Sequence, residues 1–299
     1  MPDYLQTYAD KEVEKLGRKI ARIYRQAARE IKEKLESFNK AHDIISDRML
    51  QDVKDGKITE RDYKDWLRNQ VFIGDRWKAK LDEITKAYRE ADEKARKLVG
   101  EKNKDIFLHA ANWQAKDTSR AVNGAVSFDM YDRKTVDRLL KKKPKMLPEW
   151  KIDEEKDYIW NEKRVQNAVA QGIIQGESVY DIGKRLTDEL SASNAGKMDM
   201  FARTAVTGAQ NAGRMERLHE AEEMGIMVKK KWLTAHDKRV RDAHIDLDGD
   251  EKDIDEPFHN DYGDIMYPGD PSADPANVYN CRCTMIYVYP KYQATKGGD

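Results

Sequence analysis

The residues with the clearest chemical potential lie near the end of the sequence: His244, Cys281 and Cys283. On a strand, the two cysteine side chains would face the same side, with their Cα atoms about 7 Å apart. This distance is at or beyond the limit for a disulfide bond, but it suits two thiolates that bind one soft metal ion. With His244 as a nitrogen ligand, the set predicts a structural zinc site. His259, or an acid such as Asp248, is the predicted fourth ligand.

The cysteines also fit a second interpretation, in which both thiols are reduced and pack in a small core without an ion. A calcium loop is a third, because residues 244–255 carry acids at the third and fifth places and glycine at the sixth. However, His244 stands where the first aspartate belongs, and Asp255 replaces the bidentate glutamate. The sequence therefore favours an acidic turn, and it leaves zinc and reduced thiols as alternatives for the cysteines.

Charged residues surround the cysteines and predict a structural ion-pair network, which comprises Asp237, Arg239, Arg241 and Arg282. Arginine pairs with carboxylates through two parallel hydrogen bonds, and such pairs can lock a small domain. Arg282 lies between the cysteines in sequence, so on a strand it would point to the opposite face. The alternative is that these arginines contact DNA or a partner protein.

Charge is balanced over the chain but unevenly distributed along it. The 299 residues contain 55 basic and 55 acidic residues, with a mean hydropathy of -0.91. Residues 1–241 hold 51 of the basic and 42 of the acidic residues, whereas residues 242–274 hold 12 acidic residues and one basic residue. The basic surplus predicts weak, non-specific DNA binding that salt weakens. No apolar run approaches 18 residues, so no membrane segment is expected.

Helical periodicity dominates the first part of the sequence. Apolar residues from Leu16 to Phe38 recur every three or four positions, which predicts a narrow apolar stripe on a charged helix. Gly56 interrupts the pattern, and Thr59 predicts the start of a second helix because its hydroxyl can cap the N-terminus. That helix is expected to end at Gly100, and another is expected over Ile106 to Val122.

The stretch KKKPKMLPEW predicts a domain boundary, since its two prolines interrupt helical periodicity. Residues 1–149 are predicted to form an extended helical region, as a bundle or a hairpin, and residues 150–299 a compact α+β domain. The expected elements of the second domain are helices over 158–174, from Ser178 and over 197–224, and strands at 228–234 and 284–289. The fold class is therefore mainly α.

An ordered set of motifs runs from Trp232 to Cys283. It reads W…D-x-R-x-R-x-x-H…D-G…F…P-G-D-P…N-C-R-C, and the helix ARTAVTGAQNAGR lies upstream of it. This order resembles the C-terminal domain of the phage Mu F-like family of minor head proteins, which includes the SPP1-type head morphogenesis proteins. The resemblance covers roughly residues 150–290. It implies a compact α+β domain after a variable helical region, with metal binding through cysteine and histidine.

The resemblance also implies a function. It predicts a non-enzymatic minor capsid protein of the virion, in the capsid interior or at the portal vertex, that is assembled in the host cytoplasm. The implied partners are the phage portal protein and, as further candidates, the scaffold or major capsid protein. The implied role is in head morphogenesis, DNA packaging or DNA ejection.

The competing class is a metal-dependent nuclease that acts on phage DNA. His244, His259 and Asn280 beside a metal ion could activate water. However, the 12 acidic residues of residues 242–274 would repel phosphate, and the sequence lacks the P-loop, G-x-S-x-G and zinc deaminase motifs. The sequence therefore predicts no catalytic residue.

Overall fold

The computed structural model describes residues 4–72, 75–148, 163 and 179–290, and it confirms a mainly α fold with a small C-terminal β region. The helices are α1 (Tyr4–Lys54), α2 (Glu60–Phe72), α3 (Asp75–Ala121), α4 (Arg133–Lys142), α5 (Val179–Glu223), α6 (Asp242–Ile245) and α7 (Pro275–Val278), and Pro144–Met146 forms a 3-10 turn. The strands are β1 (Lys229–Leu233), β2 (Glu251–Asp253), β3 (Phe258–Asn260), β4 (Gly263–Ile265) and β5 (Thr284–Val288). Among these described residues, no helix is sufficiently long and apolar to cross a membrane.

The predicted junction between the first two helices is confirmed. Helix α1 ends at Lys54, and Gly56 follows in the left-handed region with φ of 68°. Thr59 Oγ1 accepts a hydrogen bond from the backbone N–H of Asp62 at 3.1 Å, and the Asp62 carboxylate accepts one from the backbone N–H of Thr59 at 2.8 Å. This reciprocal cap satisfies two amides at the start of α2.

Two predicted helix boundaries are wrong. Helix α3 continues through Gly100 to Ala121, and α5 is one helix where the sequence predicted two. A single glycine costs a helix about 1 kcal/mol, which packing along the rest of the helix can outweigh. The predicted helix over 158–174, the predicted cap at Ser178 and the boundary at 149/150 lie outside the described residues.

Contacts group the chain into two units. The first comprises residues 1–18, 96–150 and 199–299, and the second comprises residues 19–95 and 151–198. In the second unit, the predicted stripe is buried at Ile20, Tyr24 and Ile31. The Tyr24 hydroxyl there donates a hydrogen bond to the Asp92 carboxylate.

The core of the first unit combines α3, α5 and the β region, and all of its sheet pairing is antiparallel. Its buried members include Val122, Leu218, Trp232, Phe258 and Met285. The main sheet has the order β2-β1-β5, and β3 pairs with β4 in a separate hairpin. Strands β1 and β5 confirm the two predicted strands, whereas β2, β3 and β4 lie in the acidic stretch where the sequence indicated only a turn.

Buried arginines hold the face of α5 that packs on α3. Gly213 permits close approach, since a Cβ there would lie 2.5 Å from the Phe107 carbonyl oxygen. Arg214 Nε donates to Gln114 Oε1 at 3.1 Å, and its guanidinium lies 4.7 Å from the centre of the Tyr287 ring. Arg217 is also buried and donates to the Asp129 carbonyl at 2.5 Å. These two arginines are therefore internal supports of the packing between α5 and α3.

Candidate metal centre

His244, Cys281 and Cys283 form one buried cluster. Their ligand atoms all lie within 4.8 Å of one another. His244 Nδ1 is 3.6 Å from Cys281 Sγ and 3.5 Å from Cys283 Sγ. The three residues are only 1%, 2% and 2% exposed, and both cysteines are free thiols. The structure thus brings together three of the four residues that the sequence predicted as metal ligands.

The remaining predicted ligands lie elsewhere. His259 is exposed on β3, where its Nδ1 lies 2.9 Å from Asp264 Oδ1. Asp248 accepts a hydrogen bond from the backbone N–H of Thr234 at 2.7 Å. Neither residue belongs to the group of metal-competent side chains around His244.

Helix α5 positions the cysteine segment through two hydrogen bonds. The backbone N–H of Asn280 donates to Thr204 Oγ1 at 2.9 Å, and Thr207 Oγ1 donates to the Cys281 carbonyl at 3.2 Å. Asn280 has a φ of 57°, which turns the chain immediately before the first cysteine. Cys281 and Cys283 precede β5 rather than lying on it, yet both face inward and Arg282 faces the other way, as the spacing predicted.

The P-G-D-P motif braces the same helix. Gly269 has a φ of 83° and packs directly against Gly208, where a Cβ would lie 2.5 Å from the Gly269 carbonyl oxygen. Asn211 Nδ2 donates to the Pro268 carbonyl at 2.8 Å. Asp270 accepts a hydrogen bond from the backbone N–H of Met266 at 3.0 Å. The motif is therefore a rigid turn that fixes the loop before α7.

Hydrogen bonds assign the tautomer of His244. The backbone N–H of Tyr262 donates to Asn260 Oδ1 at 2.9 Å, so the other atom of that amide, Nδ2, is a donor, and it lies 2.9 Å from Asn277 Oδ1. Asn277 Oδ1 is consequently an acceptor, and His244 Nε2 lies 3.2 Å from it. The proton of the neutral imidazole therefore sits on Nε2, and the lone pair of Nδ1 faces both sulfurs. A histidine ligand held by such an outer partner is typical of metal sites.

The two thiols are not equivalent. The backbone N–H of Cys283 points at Cys281 Sγ, 3.4 Å away. The hydrogen bonds from the thiol and the backbone N–H of Cys283 lower the pKa of the Cys281 thiol well below its ordinary value despite burial. The thiolate of Cys281 in turn raises the pKa of Cys283. A cation beside the two sulfurs would stabilise both as thiolates.

Trp232 forms one wall of the cluster. It is fully buried, with its ring 5.4 Å from His244 and 5.2 Å from Phe258, both in edge-on geometry. Its indole N–H is buried without a hydrogen-bond partner among the described residues. A thiolate at Cys283 would give this N–H an acceptor, so the donor set fits a bound metal ion.

A small cavity adjoins the cluster. Its volume is about 10 Å³, and its lining includes His244, Asn280, Cys281 and Cys283. A space of this size admits about one water molecule. The arrangement can therefore hold a metal ion with three protein ligands and a small fourth ligand, and the cavity is too small for a larger substrate.

The structure brings three of the four predicted ion-pair residues together. Arg282 donates two hydrogen bonds to the Asp237 carboxylate, and the one from Nη2 to Oδ1 measures 2.6 Å. The backbone N–H of Arg239 donates to the same carboxylate at 2.9 Å. The Arg282 guanidinium holds the pKa of Asp237 well below its ordinary value. Arg241 instead donates to the Tyr279 carbonyl and so braces the end of α7.

Sequence reasoning missed Lys230, which is fully buried on β1. Its Nζ donates to the Ile254 carbonyl at 2.9 Å and to the Met266 carbonyl at 3.0 Å, and burial lowers its pKa to about 8. The sequence could have indicated this burial, because side chains alternate along a strand and Lys230 lies on the same face as Trp232. Asn260 and Asn277 were also missed, and no local pattern marks them.

Comparison with known proteins identifies a family that part of the chain resembles. Residues 163–286 match the family model described as "Phage Mu protein F like protein", and this match confirms the resemblance indicated by the motifs. Over these residues the chain is therefore similar to phage head proteins of the Mu F type. No solved structure matches the chain at a significant level.

Among curated relatives, minor head protein GP7 of Bacillus phage SPP1 is 34% identical over 121 residues, which is 40% of this chain and 39% of GP7. NAD(+)--arginine ADP-ribosyltransferase EFV of Enterococcus faecalis (strain ATCC 700802 / V583) is 37% identical over 130 residues, which is 42% of this chain and 26% of that protein. YqbB of Bacillus subtilis (strain 168), an uncharacterized protein, is 29% identical over 128 residues, which is 42% of this chain and 41% of YqbB. The chain thus spans less than half the length of each relative.

Proposed function

We propose that this protein is a non-enzymatic minor head protein of a phage virion that binds at the portal vertex. The observation that carries the proposal is the family match over residues 163–286, together with the similarity to a protein named as a minor head protein. Its role is in head morphogenesis, DNA packaging or DNA delivery, with the portal protein as the main partner and the scaffold or major capsid protein as further ones.

The metal of the cluster is proposed to be zinc with a structural role. Two thiolates and one imidazole are soft to borderline ligands that suit zinc. His244 lies on α6 and the cysteines lie just before β5, so an ion would tie these two segments together. Because such a site does not survive unfolding, the binding free energy of the metal would contribute to folding.

Catalysis at this site is not favoured. A catalytic metal needs an open coordination position that the substrate can reach. Here all three ligands are at most 2% exposed, and the adjoining cavity of about 10 Å³ cannot admit a phosphodiester. The segment shared with the ADP-ribosyltransferase amounts to 26% of that protein, so the activity for which that protein is named is not assigned to this chain.

Co-sedimentation with portal rings tests the proposal. The full chain should pellet with purified rings of the portal protein from the same phage, and it should be present in mature heads in far fewer copies than the major capsid protein. Absence from purified heads, or a copy number similar to that of the major capsid protein, would argue against a minor head protein. Cleavage of phage DNA with magnesium, manganese or zinc would favour the nuclease alternative.

Binding to DNA is proposed to be weak and independent of sequence, driven by the surplus of nine basic residues before Asp242. Neutralising phosphates releases counterions, so affinity should fall steeply as salt rises. A filter-binding titration between low and moderate salt measures this slope. Affinity that stays constant with salt would exclude phosphate neutralisation as the mechanism.

A further inference from the structure

A second group of metal-competent side chains lies apart from the cysteine cluster. His219 and Glu222 are three residues apart near the end of α5, so they share one face of the helix. Asp255 lies in the turn between β2 and β3. One ligand atom from each residue lies within 4.8 Å of the others, and His219 Nδ1 is 3.5 Å from Asp255 Oδ1.

An ion pair alone would leave one of the two carboxylates in this group without a positively charged partner. A protonated His219 could pair with Asp255, but the half-buried carboxylate of Glu222 accepts no hydrogen bond within the described part of the chain. Lys230 is close enough to influence the charge of Glu222, yet its Nζ donates to the carbonyls of Ile254 and Met266. Two carboxylates and an imidazole around one point are what a divalent cation would complement.

Each side of the group is held in place by other contacts. Glu222 and His219 sit on the last turns of a continuous helix, whose neighbours Leu218 and Ala221 are fully buried. Asp255 follows Ile254, which is fully buried and whose carbonyl accepts the Lys230 hydrogen bond. The three ligands therefore come from two anchored segments rather than from a loose loop, and binding would require little ordering of the backbone.

We propose that His219, Glu222 and Asp255 bind one divalent cation of the harder kind, for which Mn²⁺ is the probe, and that this ion ties the β2–β3 turn to α5. One nitrogen and two carboxylate oxygens suit Mn²⁺, whereas thiolates select softer ions. This site is separate from the cysteine cluster in its ligands and in its ligand chemistry. The inference rests on this geometry and holds whether or not the protein binds a portal.

Electron paramagnetic resonance of Mn²⁺ titrated into the full chain tests the site. The free aqueous signal should be suppressed by about one equivalent of protein. His219→Ala should weaken binding at least about 10-fold, because it removes the single nitrogen ligand. Asp255→Asn should weaken binding as well, since it removes a charged oxygen ligand.

Two controls keep the outcome specific. His259→Ala removes a more exposed histidine that lies 2.9 Å from Asp264 Oδ1 but has no third ligand among the described residues, and it should leave Mn²⁺ binding unchanged. Cys281→Ser should also leave it unchanged, because the thiolate site does not hold Mn²⁺. Absence of saturable binding to the parent, equal binding by His219→Ala, or loss of binding in Cys281→Ser would each overturn the proposal. Melting curves without metal establish that every variant is folded.

Discussion

The long helices of residues 19–95 and the C-terminal segment of residues 226–290 bury different kinds of side chain. The helices bury mainly an apolar stripe, with Ile20, Ile31 and Ile84 among its members. The C-terminal segment also buries polar groups such as Lys230, His244, Asp270 and Asn277. A helix satisfies its own backbone hydrogen bonds, whereas short strands and turns leave amides and carbonyls that side chains must pair.

This difference indicates where single substitutions should matter. In the C-terminal segment, one side chain often satisfies two backbone groups, as Lys230 does for Ile254 and Met266. In the helices, the loss of one surface contact leaves the ladder of backbone hydrogen bonds intact. We therefore expect large effects near the cysteine cluster and small effects on the helices, and the following predictions test that expectation in order of decreasing effect.

Outside the metal ligands, the largest stability effect is expected at the contact between Gly208 and Gly269. Gly208→Ala would place a Cβ 2.5 Å from a backbone oxygen that cannot move freely, and it should lower the free energy of unfolding by about 3 kcal/mol. Gly100→Ala is the matched control, because Gly100 lies within α3 with open space around it. The control should raise stability by about 1 kcal/mol. Urea denaturation measures both, and equal effects would contradict the close contact.

The effect of Lys230 on the free energy of unfolding is expected to depend on pH. Its pKa in the folded protein is about 8, below the ordinary value of 10.5, so the unfolded chain holds the proton more tightly. The contribution of Lys230 to stability should therefore rise between pH 8 and pH 10, by about 2 kcal/mol. Lys230→Met removes this titration but keeps a similar shape. The unfolding free energy of the parent minus that of the variant should rise over that range. A difference that stays constant with pH would show that the lysine is not desolvated.

Substitution of Asn277 is expected to change the affinity for the metal ion rather than the fold. Asn277→Ala removes the acceptor that holds His244 Nε2 at 3.2 Å, and it should weaken zinc binding by about 10- to 100-fold. Asn277→Asp keeps an acceptor oxygen and should weaken binding less. Competition with a chromophoric chelator measures both affinities. Equal affinities in the two variants would count against the assigned tautomer.

The smallest effect is expected on the helices. Thr59→Ala removes the cap of α2, whose hydroxyl accepts a hydrogen bond at 3.1 Å, and it should cost about 1 kcal/mol. Lys57→Ala, at an exposed neighbouring position, should change stability by less than about 0.5 kcal/mol. Thermal melting followed by circular dichroism at 222 nm measures both. A loss at Thr59 that matched the loss at Gly208 would remove the contrast between the two regions.

The parts of the fold that follow from local rules could be predicted from the sequence. The break at Gly56, the cap at Thr59 and strands β1 and β5 follow from periodicity and turn chemistry. The clustering of His244 with the cysteines followed from residue type and alternation. The continuity of α3 through Gly100 did not, because packing along the rest of a helix outweighs one glycine.

The residues that support the candidate metal centre could not be predicted in the same way. Asn260 and Asn277 act through contacts between segments 17 residues apart, and an asparagine in a loop has no periodic signature. His259 was predicted as a ligand from its type alone, and the fold instead places it on an exposed hairpin beside Asp264. Residue type indicates which side chains can bind a metal, and only the tertiary fold determines which of them meet.

Native mass spectrometry of the full chain, purified without chelators, tests the claim of a structural metal centre most directly. We expect one zinc ion per chain, retained in His219→Ala and lost in Cys283→Ser. With free zinc about 1,000-fold above its Kd, loss of the ion should lower the unfolding free energy by about 4 kcal/mol. A metal-free parent chain, together with a Cys283→Ser variant that melts at the same temperature as the parent, would contradict the account and leave both thiols as core residues.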